Sequence, residues 1–542
     1  ILDVQTPQLN RTRLYWAAGL ALIVLIGLAL RLHGIHDPML DHPGWRQGDT
    51  AAIARNFARL QFDIMRPQTM YNGAPPHYVE LELQIVPFLA AIGYKAAGIH
   101  EIFGRLVTLT FSLATVVTLA YFGRWLFGSA LAGLAAAFCY AVFPGSIYYG
   151  RTFMPDGAMV FFLTAGLYAT ALLLSGDVRP TFRATLATTL LLAVAYLAKP
   201  VAAIAVVPVL AMAVERARAK RAMGWMNLAL LLVIPFLILA LYDRRVASYA
   251  EWHWASGITQ LHVLPALHRA FANGAGFAAK LAQFWDALGM LRETMLGKLC
   301  FALSAASFVA LPWIPMRSKS LLWSWLAVGL VYVYVVVTVE RVDYYMYPLL
   351  PLAALAIGGA TARSVAGVRA SEIAAPARYA LLGFVALLGL AALALAPRPI
   401  AAYYHYNKEA YRSAVALDRV LPKNALVVIA HYGPDVQYYM DRFGWEEDPA
   451  LWTPFDEESA IRKGSRYFVS IEDARLRRNA ELCAWLTRFP LLETGTGWPV
   501  YETDPAKAAP NAERFWRAFR SAQRAGAGRA FLDAHHLCAR KS

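Results

Sequence analysis

The chain has 542 residues, of which 58% are hydrophobic and 16% are charged, and its mean hydropathy is +0.42. A soluble globular protein carries roughly a quarter charged residues, and the apolar runs here are continuous over about 16 to 22 residues, unlike the alternating stretches of a membrane barrel. This excludes a soluble protein and predicts a polytopic α-helical membrane protein. The net charge of +15 comes from Lys and Arg at the ends of apolar runs, which indicates contact with membrane lipids and no nucleic-acid partner.

The first apolar run covers residues 14–32 and follows Arg11 and Arg13. Basic residues favour the cytoplasmic end of a span, so we expect a cytoplasmic N-terminus and an external segment at 33–101. Within that segment, residues 83–97 could form another span or a helix in the membrane interface. We favour the interfacial helix, because an additional span would invert every later loop.

Further apolar runs follow, and their short basic loops all fall on the cytoplasmic side if the first span is oriented in this way. We therefore predict about eleven transmembrane helices, at residues 14–32, 105–126, 129–148, 157–175, 183–198, 200–214, 226–243, 299–316, 320–338, 344–361 and 378–397.

Two further segments are expected outside the membrane. Residues 243–298 form a long loop with several Trp residues, which are typical of the membrane surface. Residues 398–542 have the composition of a soluble domain, with apolar runs at 425–430 and 467–471 that read as buried strands. The sequence thus predicts a membrane domain at 1–397 and a small periplasmic α/β domain after it.

The cysteines agree with this division. Cys139 and Cys300 lie in or beside predicted spans, where a thiol is usually apolar filler. Cys483 and Cys538 both lie in the predicted external domain and are candidates for a disulfide in an oxidising compartment.

Polar residues concentrate after the first span, in the run WRQGDT at residues 45–50. A carboxylate beside a membrane span is a candidate functional group, and Asp49 could take a proton from an acceptor hydroxyl. The alternatives are that Asp49 caps a helix, or that Asp41 is the functional carboxylate. Trp45 is a candidate substrate contact and Arg46 a candidate ligand of a donor phosphate.

A second acidic group follows in the same segment. Glu80 and Glu82 are two residues apart, close to His77. They could bind the acceptor or orient arginines, and we expect one of the two carboxylates to be solvated. No cofactor is certain, but a divalent metal, if bound, would use Asp49, Glu82 and His77.

The loop between the third and fourth spans carries Arg151 and Asp156, on the external side that also carries Asp49. Helix capping explains Asp156 equally well, because Pro155 and Asp156 stand at a helix start. Function and capping both remain open for this loop.

Two later cations stand at the external ends of spans. Lys199 interrupts a long apolar stretch and Arg341 lies just before Tyr344 and Tyr345. A cation at such a position must snorkel or pair, and a phosphate is a suitable partner. An ion pair of Arg341 with a neighbouring Glu is the alternative, and the two tyrosines are candidate substrate contacts.

These motifs resemble the GT-C glycosyltransferases, in particular the bacterial branch of protein O-mannosyltransferases and lipid A aminoarabinose transferases. The resemblance covers roughly residues 14–361. It is carried by WRQGDTA at 45–51, RNF at 55–57, VELE at 79–82, RTFMPD at 151–156 and YYMYP at 344–348.

The resemblance implies that Asp49 is the catalytic base and Asp156 the second acidic residue. It also implies an undecaprenyl-phosphate sugar donor and inversion at the anomeric carbon. Many relatives carry two adjacent acidic residues in the first loop, whereas Thr50 follows Asp49 here, which puts a metal bound by an acidic pair in doubt.

The sequence therefore predicts a glycosyltransferase of the bacterial inner membrane that works at the periplasmic face. It would move one sugar from a polyprenyl-phosphate carrier to lipopolysaccharide or lipid A, another envelope glycan or a protein. A transporter or flippase of lipid-linked sugars is the alternative. That class predicts ionisable residues near mid-span and repeated halves, whereas the charges here gather in loops.

Overall fold

The computed structural model describes residues 7–219, 223–272 and 274–534, which form two compact units. The helical unit contains residues up to 36 and residues 80–404, and the α/β unit contains residues 37–79 and the residues from 405 onward. The domain boundary expected at 397/398 thus lies close to the division at 404/405. Residues 37–79, however, group with the C-terminal residues.

The helical unit consists of apolar helices, as the composition predicts. The described residues include eight helices that are long and apolar enough to cross a membrane: Arg13–Arg31, Ile102–Phe127, Asp156–Ser175, Pro200–Arg218, Trp225–Ala247, Lys319–Val337, Asp343–Ala370 and Ala375–Tyr404. A bent pair, Gly274–Met295 and Gly297–Trp313, meets at 117°, and the shorter apolar helices are Ile85–Ala97, Ala130–Val142 and Phe182–Ala198. Every predicted span overlaps one of these helices, which confirms the polytopic helical class.

Two predicted segments differ in detail. The span expected at 129–148 ends as a regular helix at Val142, because Pro144 forces Phe143 into an extended conformation and a separate helix, Pro144–Tyr149, begins there. The loop expected at 243–298 is largely helical, with Ile258–Val263 and Leu264–Ala272 preceding the bent pair. Its aromatic residues are compatible with a helix at a membrane surface as well as with a loop.

Glycines let three helices of the helical unit approach closely. A Cβ on Gly133 would lie 2.1 Å from the carbonyl oxygen of Ala120, and one on Gly358 would lie 2.5 Å from that of Ala132. Small residues at such contacts allow backbone-to-backbone packing between helices in a membrane protein. The helices Ile102–Phe127, Ala130–Val142 and Leu350–Ala370 are the ones held together in this way.

The α/β unit contains a five-stranded sheet. Its strand order is Gly444–Glu446, Leu426–Ala430, Ser465–Ser470, Val500–Glu502, Leu491–Leu492. The first three strands are parallel to one another, and Val500–Glu502 is antiparallel to both of its neighbours. Both strands predicted from the sequence are present. Its helices are Gly44–Arg59, Lys408–Val420, Pro434–Met440, Pro454–Arg462, Asp473–Leu476, Ala480–Leu486, Ala512–Arg524 and Gly528–Ala534.

The core of the α/β unit forms where the sheet meets its helices. Val428 on the strand Leu426–Ala430 lies opposite Phe468 on the central strand, and Phe468 lies opposite Tyr501 in register. These side chains pack with the fully buried Trp485 and Phe519 from two helices. Of the two cysteines predicted to form a disulfide, Cys483 is buried in this core, and Cys538 lies outside the described residues.

Candidate functional site

Asp49 lies on the helix Gly44–Arg59, named here the first-loop helix, and is only 4% exposed. The helix begins after Pro43, so Asp49 stands in its second turn and is not the N-cap; the capping alternative is wrong for this residue. The Asp49 carboxylate instead meets two side chains. Arg46 Nη1 donates to Oδ2 at 3.0 Å, and the Tyr71 hydroxyl donates to Oδ1 at 3.3 Å.

The other polar residues of this segment have different surroundings. The competing carboxylate, Asp41, is fully buried and accepts a hydrogen bond from Gln47 Nε2 at 2.7 Å, which stabilises the entry to the first-loop helix. Trp45 is 42% exposed, as a substrate contact requires, whereas His77 is only 4% exposed.

The α/β unit adds a polar cluster that the sequence did not predict. Burial raises the pKa of Glu446 to about 8; the charges of Asp49 and Asp435 act in the same direction, while a hydrogen bond from the Gly433 N–H and the charge of His431 oppose the rise. Glu446 therefore holds a proton at neutral pH. The only available sequence signal is a carboxylate at the end of a short apolar strand.

His431 belongs to the same cluster. Its Nδ1 lies 2.7 Å from Glu472 Oε1 and its Nε2 lies 3.5 Å from Asp435 Oδ1. Burial alone would lower the pKa of His431, but these carboxylates raise it to about 9, so the imidazole is a cation at neutral pH.

In the helical unit, Asp156 and Lys199 form a buried ion pair. Lys199 Nζ donates to Asp156 Oδ1 at 2.7 Å, and the exposed fractions of the two side chains are 9% and 1%. Asp156 begins the helix Asp156–Ser175, whereas Lys199 follows the helix Phe182–Ala198 and precedes Pro200. The end of the helix Phe182–Ala198 before Pro200 therefore places Lys199 beside the first residue of the helix Asp156–Ser175.

Two tyrosines complete the surroundings of Lys199. Its Nζ lies 4.8 Å from the ring centre of Tyr344 and 4.4 Å from that of Tyr345, which allows cation–π attraction. Asp156 Oδ2 has no hydrogen-bond partner within the described ranges. Four residues singled out from the sequence thus meet in one buried place, and the second carboxylate oxygen of Asp156 is buried there as well.

The other predicted cations do not join this group. Arg151 is fully buried, donates to the carbonyl oxygen of Gly34 at 3.0 Å, and lies 4.8 and 4.6 Å from the rings of Tyr148 and Tyr404. Arg341 is 59% exposed and 3.4 Å from Asp286. The contacts of Arg151 are thus those of a structural residue. Arg341 pairs with an Asp from another helix and not with the neighbouring Glu that the sequence offered as a partner.

Glu80 and Glu82 are both buried, at 4% and 8% exposure, so the expectation that one is solvated is wrong. Glu80 Oε2 accepts from the Ser256 hydroxyl at 2.8 Å and lies 3.5 Å from His253 Nδ1. Gln84 Nε2 donates to the backbone carbonyl of Glu82. Within the described parts of the chain, no group of three or more His, Cys, Asp or Glu has a geometry suited to a metal ion.

Asp343 is a buried carboxylate that the sequence analysis left unassigned. The hydroxyls of Tyr149 and Tyr403 each donate to it at 2.5 Å, and Thr294 donates at 3.1 Å. The side chain joins four separate segments of the helical unit. Its position directly before the Tyr344-Tyr345 pair was the signal that could have identified it.

Part of the chain matches a known protein family. Residues 84–241 match the family model described as dolichyl-phosphate-mannose-protein mannosyltransferase. No curated protein matches the chain.

Solved structures share its fold. ArnT from Cupriavidus metallidurans bound to undecaprenyl phosphate is 14% identical with a TM-score of 0.58, over 90% of this chain and 99% of that chain. The apo state of the same protein is also 14% identical, with a TM-score of 0.59 over 90% and 98%. AglB, an oligosaccharyltransferase from Archaeoglobus fulgidus in complex with an inhibitory peptide and a dolichol-phosphate, is 13% identical with a TM-score of 0.54, over 92% and 75%. The chain thus shares the GT-C fold of ArnT and AglB, and residues 84–241 match a family of glycosyltransferases.

Proposed function

We propose that the chain transfers one sugar from a polyprenyl phosphate to lipopolysaccharide or lipid A, another envelope glycan or a protein. Two similarities support a lipid-phosphate donor. The matched family is named for enzymes that use dolichyl-phosphate mannose, and the ArnT structure contains undecaprenyl phosphate. The eight long apolar helices among the described residues supply the membrane setting that such a donor needs.

We propose the bacterial inner membrane as its location, with the N-terminus in the cytoplasm. Segments 33–101, 243–298 and 398–542 would then face the periplasm. This orientation rests on the basic loops, which follow the positive-inside rule.

The observation that carries the mechanism is the environment of Asp49. Its carboxylate accepts hydrogen bonds from Arg46 and Tyr71, and both bonds favour the ionised form that a general base requires. In the proposed step the acceptor oxygen attacks the anomeric carbon and its proton passes to Asp49. The bond from that carbon to the phosphate oxygen breaks, and the polyprenyl phosphate leaves with the electron pair, which inverts the anomeric centre.

Lys199 would stabilise the departing phosphate. It already faces the carboxylate of Asp156 and two tyrosine rings, and an ammonium ion in a site of low dielectric stabilises developing negative charge more strongly than in water. Arg46, Arg151 and Arg341 are the further candidates for the phosphate, while Trp45, His77, Glu80, Glu82, Tyr344 and Tyr345 are candidates for contact with acceptor or sugar.

Replacement of Asp49 tests this proposal. Asp49→Asn keeps the shape of the side chain but removes the base, so the rate of sugar transfer should fall by about 10²- to 10⁴-fold. Asp63→Asn is a matched control, because Asp63 lies in the same segment, is 40% exposed and forms only a long ion pair of 3.7 Å with Arg66. The measurement is mass spectrometry of polyprenyl-phosphate sugars and envelope glycans in cells that lack the native chain and express each variant.

Cells with Asp49→Asn should accumulate the lipid-linked donor and lose the sugar from the acceptor, as deletion cells do, while Asp63→Asn cells should resemble wild type. Full glycan modification with Asp49→Asn at normal expression would reject Asp49 as the base. Accumulation of the donor only in the cytoplasmic leaflet of deletion cells would favour the lipid-sugar flippase instead.

A further inference from the structure

Residues 434–446 of the α/β unit pack directly on the first-loop helix, within the same compact unit. Gly44 and Gly48, one turn apart on that helix, face Asp435. A Cβ on Gly48 would lie 2.4 Å from Asp435 Cα and 2.7 Å from its backbone nitrogen. Only glycine permits this approach, so the N-terminal half of the first-loop helix is held against the start of the helix Pro434–Met440.

The C-terminal half of the first-loop helix is held by charge. Arg55 Nη1 lies 2.5 Å from Asp441 Oδ1 and 2.9 Å from the carbonyl oxygen of Tyr438, and its guanidinium carbon is 3.6 Å from the Tyr438 ring centre. Arg59 Nη1 reaches Asp441 Oδ2 at 2.8 Å. Burial raises the pKa of Asp441, but the two arginines outweigh it and lower that pKa below its usual value. Asp441 is therefore an anion that binds two cations of one helix.

Asp441 occupies an unusual backbone position for its role. It follows the helix Pro434–Met440 in the left-handed conformation, with φ of 50°. This conformation costs a non-glycine residue on the order of 1 kcal/mol, and glycine is the usual residue there. An aspartate at this position indicates that its side chain has a use, and the contacts with Arg55 and Arg59 supply one.

We infer that Asp441 is a positioning residue for Asp49, acting through Arg55 and Arg59. The inference rests on the proposed function of Asp49. Asp49 stands between the two attachments of the first-loop helix, with Gly44 and Gly48 on one side and the arginines on the other. Fixing a helix at two points fixes its axis and its rotation, and with them the direction of the carboxylate. A misplacement of about 1 Å in a reacting group can lower a rate by about 10²-fold.

The test is Asp441→Asn in the full-length chain. Asparagine tolerates the left-handed conformation, so the substitution removes the charge with little change to the backbone. Transfer is assayed with lipid-linked sugar extracted from deletion cells, at several donor concentrations. We expect kcat to fall by about 10-fold with KM for the donor within about twofold of wild type, since the base would be misdirected while donor binding is unchanged.

Four further variants make the result specific. Asp473→Asn breaks an ion pair with Arg477, 2.5 Å long, in the same unit, and should leave kcat unchanged. Arg59→Gln removes only the outer contact, from a side chain that is 49% exposed, and should lower kcat by about twofold to threefold. Arg55→Gln is also measured alone, and the double variant Asp441→Asn with Arg55→Gln should be no slower than the slower of these two single variants, because the two residues act as one unit.

An unchanged kcat in both Asp441→Asn and Arg59→Gln would overturn the inference. So would an equal loss in Asp473→Asn, which would indicate a general effect on the fold. If Asp441→Asn does not fold, Arg59→Gln and its control decide the matter. Asp49→Asn separates this failure from that of the proposed function: if Asp49→Asn is inactive while Asp441→Asn and Arg59→Gln keep full kcat, only the positioning role is rejected.

Discussion

Lys199 was predicted from its place at the external end of two apolar runs, and the structure adds a partner, Asp156, at 2.7 Å. In the proposed mechanism the ion pair with Asp156 would hold the Lys199 side chain in position until a phosphate approaches. Sequence could identify each residue, since both are charges beside proline at the edge of an apolar run. It could not identify the pair, because 43 positions separate them along the chain.

The buried pair allows structural and catalytic roles to be separated. Lys199→Met leaves the Asp156 charge buried without its cation, which should cost about 3–5 kcal/mol of stability. The double variant Lys199→Met with Asp156→Asn removes both charges and should recover most of that stability. Sugar transfer should stay at least about 10²-fold below wild type in both, because the cation for the leaving phosphate is missing.

Thermal unfolding in detergent and initial transfer rates, measured on the same preparations, check this prediction. Wild-type transfer by the double variant would remove Lys199 from donor binding. Failure of the double variant to regain stability would mean that the ion pair is not the main source of the loss.

At the scale of elements, the positions of the apolar helices followed from hydropathy alone, because a membrane helix must satisfy its own backbone and bury its surface in lipid or protein. Pro144 shows where that rule is insufficient: hydropathy continues through it, but its ring ends the regular helix. A helix start at Asp49 was one of the alternatives considered, but the first-loop helix begins after Pro43. The sequence did not indicate a helix at Gly44 and Gly48, because the role of these two glycines in packing depends on contacts with residues 434–446.

The close packing of helices in the helical unit gives a prediction of its own. Gly133→Ala places a Cβ against the backbone of Ala120, at 2.1 Å before any adjustment, and must separate the helices Ile102–Phe127 and Ala130–Val142. We expect a loss of about 1–3 kcal/mol, as for overpacked cores. Gly383→Ala is the matched control, because no atom lies within 4 Å of its added Cβ.

Thermal unfolding of the purified variants in detergent measures the difference. Gly133→Ala should unfold at a lower temperature than wild type, whereas Gly383→Ala should equal or exceed it, since alanine favours a helix over glycine. Equal unfolding temperatures for both variants would contradict the proposed role of Gly133.

At the scale of the whole molecule, the two compact units divide the candidate residues between them. Asp49 and its partners Arg46 and Tyr71 belong to the α/β unit, and the pair Asp156–Lys199 belongs to the helical unit. Composition could predict an apolar part and a soluble part. It could not predict that residues 37–79 fold with the C-terminal residues, because the contacts that join them, such as Arg55 with Asp441, span 386 positions.

The central claim is that the chain transfers a sugar from a polyprenyl phosphate with Asp49 as base. The most direct measurement is the yield and anomeric configuration of the glycoside formed by purified chain from lipid-linked donor, together with the lipid product released. Wild type should release one polyprenyl phosphate per sugar transferred and form a glycoside of inverted configuration, and Asp49→Asn should form almost none. A retained configuration, or equal yields from wild type and Asp49→Asn, would contradict this mechanism.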